Sequence, residues 1–182
     1  MKRLILSLAV VIPFIIAHAM TVNDLFKKYR SSIPDAQYTE LKGKALKNQI
    51  DSVSSDREKE ILRNAKKVVM LGWATDSEQY DHLIADLNEL RGYNCAMSYT
   101  ENGGTEEDSN TFKSMINSLV NPAMKVSVYG KETSSGQYIL KPVIVVNYMG
   151  MTVIVYVDGK IRPGDEKELI QTETDTDITI TE

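Results

Sequence analysis

Residues 143–157 read VIVVNYMGMTVIVYV, and the way this stretch pairs with itself decides the fold. Both flanks are rich in β-branched residues, the composition of strands, and Met149-Gly150 lies midway between them. A turn centred there pairs Tyr148 with Met151, Val146 with Val153 and Ile144 with Val155. That face is wholly apolar and is expected to be buried. The opposite face pairs Asn147 with Thr152, Val145 with Ile154, Val143 with Tyr156 and Lys141 with Asp158, so it is mixed and ends in an opposite-charge pair. A helix lying over this second face accounts for its apolar middle. Two-residue hairpin turns favour positive φ, which suits methionine poorly. A four-residue loop from Tyr148 to Met151 keeps the remaining pairs, and Asp158-Gly159 supplies the next turn.

Upstream, helical and strand patterns alternate. Thr21 with Asp24 makes a capping-box-like start for a helix carrying Val22, Leu25, Phe26 and Tyr29, and Ser31, Ser32 and Pro34 end it. Residues 36–41 read as a short strand. Leu41, Ala45, Leu46, Ile50 and Val53 follow at helical spacing, weakened by Gly43. Ser55 with Glu58 caps a charged helix whose apolar face is narrow, Ile61 and Leu62. The run VVMLGWA, Val68 to Ala74, has the continuous apolarity of a strand buried on both faces. Asp76 with Gln79 then caps a helix bearing Tyr80, Leu83, Ile84, Leu87 and Leu90, with Arg91 near its negative end and Gly92 at the left-handed position beyond it. From Tyr93 the alternation places Cys95, Met97 and Tyr99 on one face of a half-buried strand.

A polar loop, ENGGTEE at 101–107, precedes a helix capped at Asp108 or Ser109, with Phe112, Met115, Ile116, Leu119 and Val120 on one side and Asn121-Pro122 as its stop. Met124 to Tyr129 reads as a strand. Beyond Gln171 the chain has four acids, no base and little apolar surface, the composition of a disordered tail, although Ile178 and Ile180 alternate like an edge strand. The fold class is therefore α+β: a single-domain sandwich of helices on a mostly antiparallel sheet, ferredoxin-like or related. Residues 20–171 form that domain and 172–182 the acidic tail.

The first nineteen residues have the organisation of an export signal. Lys2 and Arg3 precede an apolar stretch from Leu4 to Ala17, and Ala17-His18-Ala19 supplies small residues at both positions of a cleavage site. The stretch is shorter than the roughly 20 residues a membrane span needs. Cleavage is expected between Ala19 and Met20, giving a periplasmic or extracellular protein. A lipoprotein would carry Cys where Met20 stands. With Lys2 and Arg3 removed, 19 basic residues face 25 acidic ones, a net charge of −6, against −4 for the 182-residue chain. That balance, without a Lys/Arg cluster, argues against nucleic acid. Contact with the membrane is expected only through the signal peptide before cleavage.

The inventory of reactive residues excludes more than it offers. One Cys rules out a disulfide framework and every multi-Cys metal site. After cleavage His82 is the one histidine left. His82 and Asp86 share a helix face, but two ligands do not make a zinc site. His82 is expected to be solvated or lightly paired, and Cys95 to pack as a small buried hydrophobe. No G-x-S-x-G occurs. Gly103-Gly104 has no following Lys for a phosphate loop, and Glu106-Glu107-Asp108 lacks calcium-loop spacing. No catalytic, cofactor-binding or metal residue is assigned. Trp73, Tyr148 and Tyr156 are the candidates for a binding surface, with Trp73 read first as core.

The layout resembles uncharacterised small exported proteins of Bacteroidetes classed as domains of unknown function. The resemblance rests on the signal peptide, LFKKY at Leu25 to Tyr29, KKVVMLGWA at Lys66 to Ala74 with its following helix, and the β-rich end from Val143 to Ile161. It implies an exported α+β domain and brings no activity or cofactor. The resulting expectation is a non-enzymatic module binding a protein or another envelope component. The alternative is a periplasmic small-ligand binder, and after it a carboxylate-based hydrolase. A deep apolar pocket with convergent polar groups favours the alternative; a filled core with an exposed apolar patch favours the module.

Overall fold

In the computed structural model, residues 20–101, 124–167 and 169–170 are described. The expected signal segment, the loop from 102 and the helix after Asp108, and the acidic tail lie outside them. The elements run α1 (Val22–Ser32), β1 (Gln37–Lys42), α2 (Gly43–Ser52), α3 (Asp56–Arg63), β2 (Lys67–Ala74), α4 (Ser77–Asn88), β3 (Asn94–Glu101), β4 (Met124–Glu132), β5 (Ile139–Tyr148), β6 (Met151–Val157) and β7 (Lys160–Ile161).

The hairpin stands in the expected register. Val143 faces Tyr156, Ile144 Val155, Val145 Ile154, Val146 Val153, Asn147 Thr152 and Tyr148 Met151. Asn147 Nδ2 donates to Thr152 Oγ1 at 2.9 Å, and Lys141 sits 3.5 Å from Asp158. The turn is the two-residue form, with Met149 at φ +50° and Gly150 at φ +73°. Around this hairpin the sheet is antiparallel throughout, in the order β1-β2-β6-β5-β4-β3, with β7 paired to β5.

Strand alternation divides the interior in two. On one face Val69, Leu71 and Trp73 of β2, Ile154 and Tyr156 of β6, Val143 and Val145 of β5 and Tyr129 of β4 pack with Val22, Leu25, Phe26 and Tyr29 of α1 and Leu83 and Leu87 of α4. This is the helical cover expected over the mixed face of the hairpin. On the other face Val68, Val126, Val128, Ile144, Val155 and Val157 pack with Leu46 of α2 and Ile61 and Leu62 of α3. Helices on both faces extend the expected helix-on-sheet sandwich to three layers. The connection β2-α4-β3 carries the chain across β6, β5 and β4, so α4 lies over the middle of the sheet, with Leu83 and Leu87 fully buried. Each such leucine contributes about 2 kcal/mol.

The helix starts follow local chemistry. Thr21 and Asp24 form the full capping box of α1, Ser55 accepts from the Glu58 amide at α3, and Asp76 accepts from the Gln79 amide at 2.8 Å at α4. Three expectations need correction. Leu41 belongs to β1, because Gly43 at φ +53° turns the chain into α2. Helix α4 ends at Asn88 with Glu89 as its cap, so Leu90 is buried beyond the helix and Gly92, at φ +71°, shapes the next turn. Finally, Cys95 is exposed. The register shifts between Cys95, opposite Tyr129, and Met97, opposite Val128. This bulge breaks the alternation and moves Cys95 off the face that holds Met97 and Tyr99.

The apolar face of the hairpin is only partly buried. Ile144 is fully covered, but exposure rises to 39% at Tyr148, 48% at Met151 and 67% at Met149. The reason is length. Helix α3 feeds into the start of β2, at the end away from the turn. Its eight residues rise about 12 Å at 1.5 Å each, whereas the eight residues of β2 run about 26 Å.

Candidate functional site

The three aromatic candidates do not share a surface. Trp73 is 2% exposed and stacks on Tyr29 with ring centroids 5.4 Å apart. It is a core residue and offers nothing to a partner. Tyr148 lies at the open end of the hairpin. Tyr156 belongs to the opposite face, tilted against Phe26 at 6.4 Å.

Tyr148 lines an apolar groove of about 270 Å³. Met124 from β4, Val146 from β5, Met151, Val153 and Val155 from β6, Met149 at the turn, and Leu169 and Ile170 complete it. Among the described residues no charged residue lines it. The groove exists because the sheet face is apolar to its end while α2 and α3 cover the other half. Three of the lining residues are methionines, whose unbranched thioether chains adapt to irregular surfaces.

On the other sheet face, a cleft of about 360 Å³ lies between α1, β1, β2 and β6. Its walls are Phe26, Tyr38, Val69 and Tyr156, and its rim carries Lys27, Arg30 and Lys67 with Asn23 and Ser31. The Arg30 guanidinium lies 4.1 Å from the centre of the Tyr38 ring, and the Lys67 ammonium 5.7 Å from that of Tyr156. Burial pushes the Tyr156 phenol up to about 12, reinforced by Asp158. Tyr38 is raised first by burial and then by its hydrogen bond to Glu40, with Arg30 opposing. Glu40 is held below the usual carboxylate range by hydrogen bonds from Lys42 and Tyr38. Lys27, Arg30 and Lys67 escape a reading of the sequence alone. Their signal is modest: two cations three residues apart beside a buried Phe, and one at the start of an apolar strand.

A third hollow, of about 190 Å³, holds Glu60, Asn64, Tyr138, Lys160, Arg162 and Asp165. Most of its charges are paired. Arg162 pairs with Glu60 at 3.0 Å, and Arg57 pairs with both Asp165 and Glu60.

His82 and Asp86 do not converge. The His82 side chain is 73% exposed and lies 3.8 Å from Glu78. Asp86 turns to α1, where it takes the Lys28 ammonium at 2.5 Å and the Tyr29 hydroxyl at 2.8 Å. Burial, then that hydrogen bond, raises Tyr29 well above the ordinary phenol range. Among the described residues no three His, Cys, Asp or Glu side chains gather to hold a metal ion. No family model, curated protein or solved structure matches the chain.

Proposed function

We propose that the protein is an exported, non-enzymatic domain that captures an apolar segment of another envelope protein in the groove at the β5–β6 turn. The observation that carries this reading is the lining, uncharged among the described residues, from the exposed Met149, Met151 and Tyr148 down to Val146 and Val153. A packed interior beside an exposed apolar patch is the signature of a partner surface rather than of a ligand cavity. The occupant is an amphipathic segment, because a groove on one sheet face accepts a row of apolar side chains and leaves the partner's polar side in water. Tyr148 supplies the aromatic anchor at the rim. Export is supported by the charged, apolar and small-residue regions of residues 1–19.

The test begins with tagged protein exported by a bacterial host and cross-linked in the envelope. N-terminal sequencing of that material starts at Met20; an intact Met1 would sink the export reading. The captured protein is then purified and titrated against wild type and Met151→Asp. Burying an unpaired carboxylate in the groove weakens binding by tenfold or more. Equal binding by both forms, or recovery of only a small molecule, overturns the assignment.

A further inference from the structure

The cleft beside α1 carries a different recognition chemistry from the groove, on different residues. Helix α1 buries Phe26 and Tyr29. Lys27 and Arg30, one turn apart, border the cleft with Phe26. Lys67 opens β2 and completes a set of three cations, and among the described residues no Asp or Glu lines the cleft. The nearest acids are already engaged. Asp24 accepts from the Thr21 amide and hydroxyl and feels Lys27 only at longer range, and Glu40 accepts from Tyr38 at 2.9 Å and Lys42 at 2.9 Å and feels Lys67 only at longer range. Among the described residues none of the three cations forms an ion pair with an acid. The polar hollow near Arg162 differs, since Arg162 there is matched by Glu60 and the lining Asp165 by Arg57.

Three like charges around one hollow repel one another and gain from sharing an anion. In a chain of net charge −4, such a patch is a local reversal of sign. The Arg30 guanidinium lies over the Tyr38 ring, 4.1 Å from its centre. Its contact with a ring rather than a carboxylate leaves N–H donors to offer the paired oxygens of an oxyanion. Behind the cations the walls are the rings of Phe26 and Tyr156, which suit a planar apolar group. We propose that this cleft binds a phosphate monoester carried on a planar ring, the dianion seated among Lys27, Arg30 and Lys67 and the ring against Phe26 and Tyr156. Three cations without a lining acid match a dianion better than a single negative charge.

The experiment is calorimetric titration of the full chain with phenyl phosphate, inorganic phosphate, phenyl sulfate and phenol at low salt. Phenyl phosphate binds about tenfold more tightly than inorganic phosphate or phenyl sulfate, and phenol gives no signal. Arg30→Gln, at an exposed position, and Lys67→Gln, at a half-buried one, both checked for unchanged circular dichroism, each weaken phenyl phosphate about tenfold, which is about 1.4 kcal/mol. Met151→Asp in the distant groove leaves it unchanged. Absence of phenyl phosphate binding at millimolar concentration overturns the proposal. So does binding that survives both substitutions, or affinity no better than that of inorganic phosphate or of the monoanionic sulfate.

Discussion

Met149 occupies a backbone position that favours a different residue. A side chain at φ +50° costs about 1 kcal/mol, because Cβ crowds the following carbonyl, and Asn-Gly is the preferred pair for a turn of this shape. Met149→Asn is expected to raise stability by about 1 kcal/mol, read as a higher urea midpoint with an unchanged slope. The same substitution removes a thioether that is 67% exposed and is expected to weaken the proposed partner capture. A variant that is more stable and yet binds less separates loss of the surface from loss of the fold. Methionine at a strained turn is what a binding role would retain at the expense of stability. Unchanged stability would show that the turn relaxes around any side chain. Cys95 teaches a second lesson at this scale. Its exposure depends on one bulge against β4, and alternation read along a single strand contains no information about its partner's register.

Elements that announce themselves through neighbouring residues were legible from sequence. The helix starts at Thr21, Ser55 and Asp76 are capping patterns within four residues, and the hairpin register follows from its own two flanks. The clip that fastens the end of the described chain was not legible. Arg57 of α3 donates through Nε to Asp165 Oδ1 at 2.8 Å, and Asp165 also accepts from the Arg162 amide at 2.8 Å. These partners lie far apart in sequence, and nothing in either neighbourhood marks them. Asp165 is 6% exposed, so removing its cation leaves a nearly buried carboxylate. Arg57→Ala is therefore expected to cost about 2 kcal/mol, measured by urea denaturation, while Lys59→Ala on the same helix costs less than about 0.5 kcal/mol. Equal effects would make the clip an ordinary surface pair. The cleft was hidden for the same reason: α1, β1, β2 and β6 meet only through pairings such as Val69 with Tyr156.

Across the molecule, buried phenols tie stability to alkaline pH. Tyr129 and Tyr156 are pushed up to about 12, and burial is the first cause in both. Their folded values lie above the unfolded value of about 10, so folding favours the neutral form. That contribution is complete below about pH 10 and is lost as pH rises from there through about 12. Melting temperature is expected to be flat from pH 8 to about 10 and to fall steeply above it, with part of the tyrosinate absorbance appearing only on unfolding. A melting temperature that holds through pH 12 would mean that these phenols ionise in place. The arrangement of the sheet has a further consequence, in time rather than energy. Its central seam joins Val68–Ala74 to Met151–Val157, segments far apart along the chain. During synthesis β2 can pair with β1 at once, but its other edge waits until β6 has been made. The two helices above that seam have no finished floor to rest on before then. The nascent chain thus stays open until its last third appears, which is the condition a chain needs if it is to be threaded through a translocation pore before it folds.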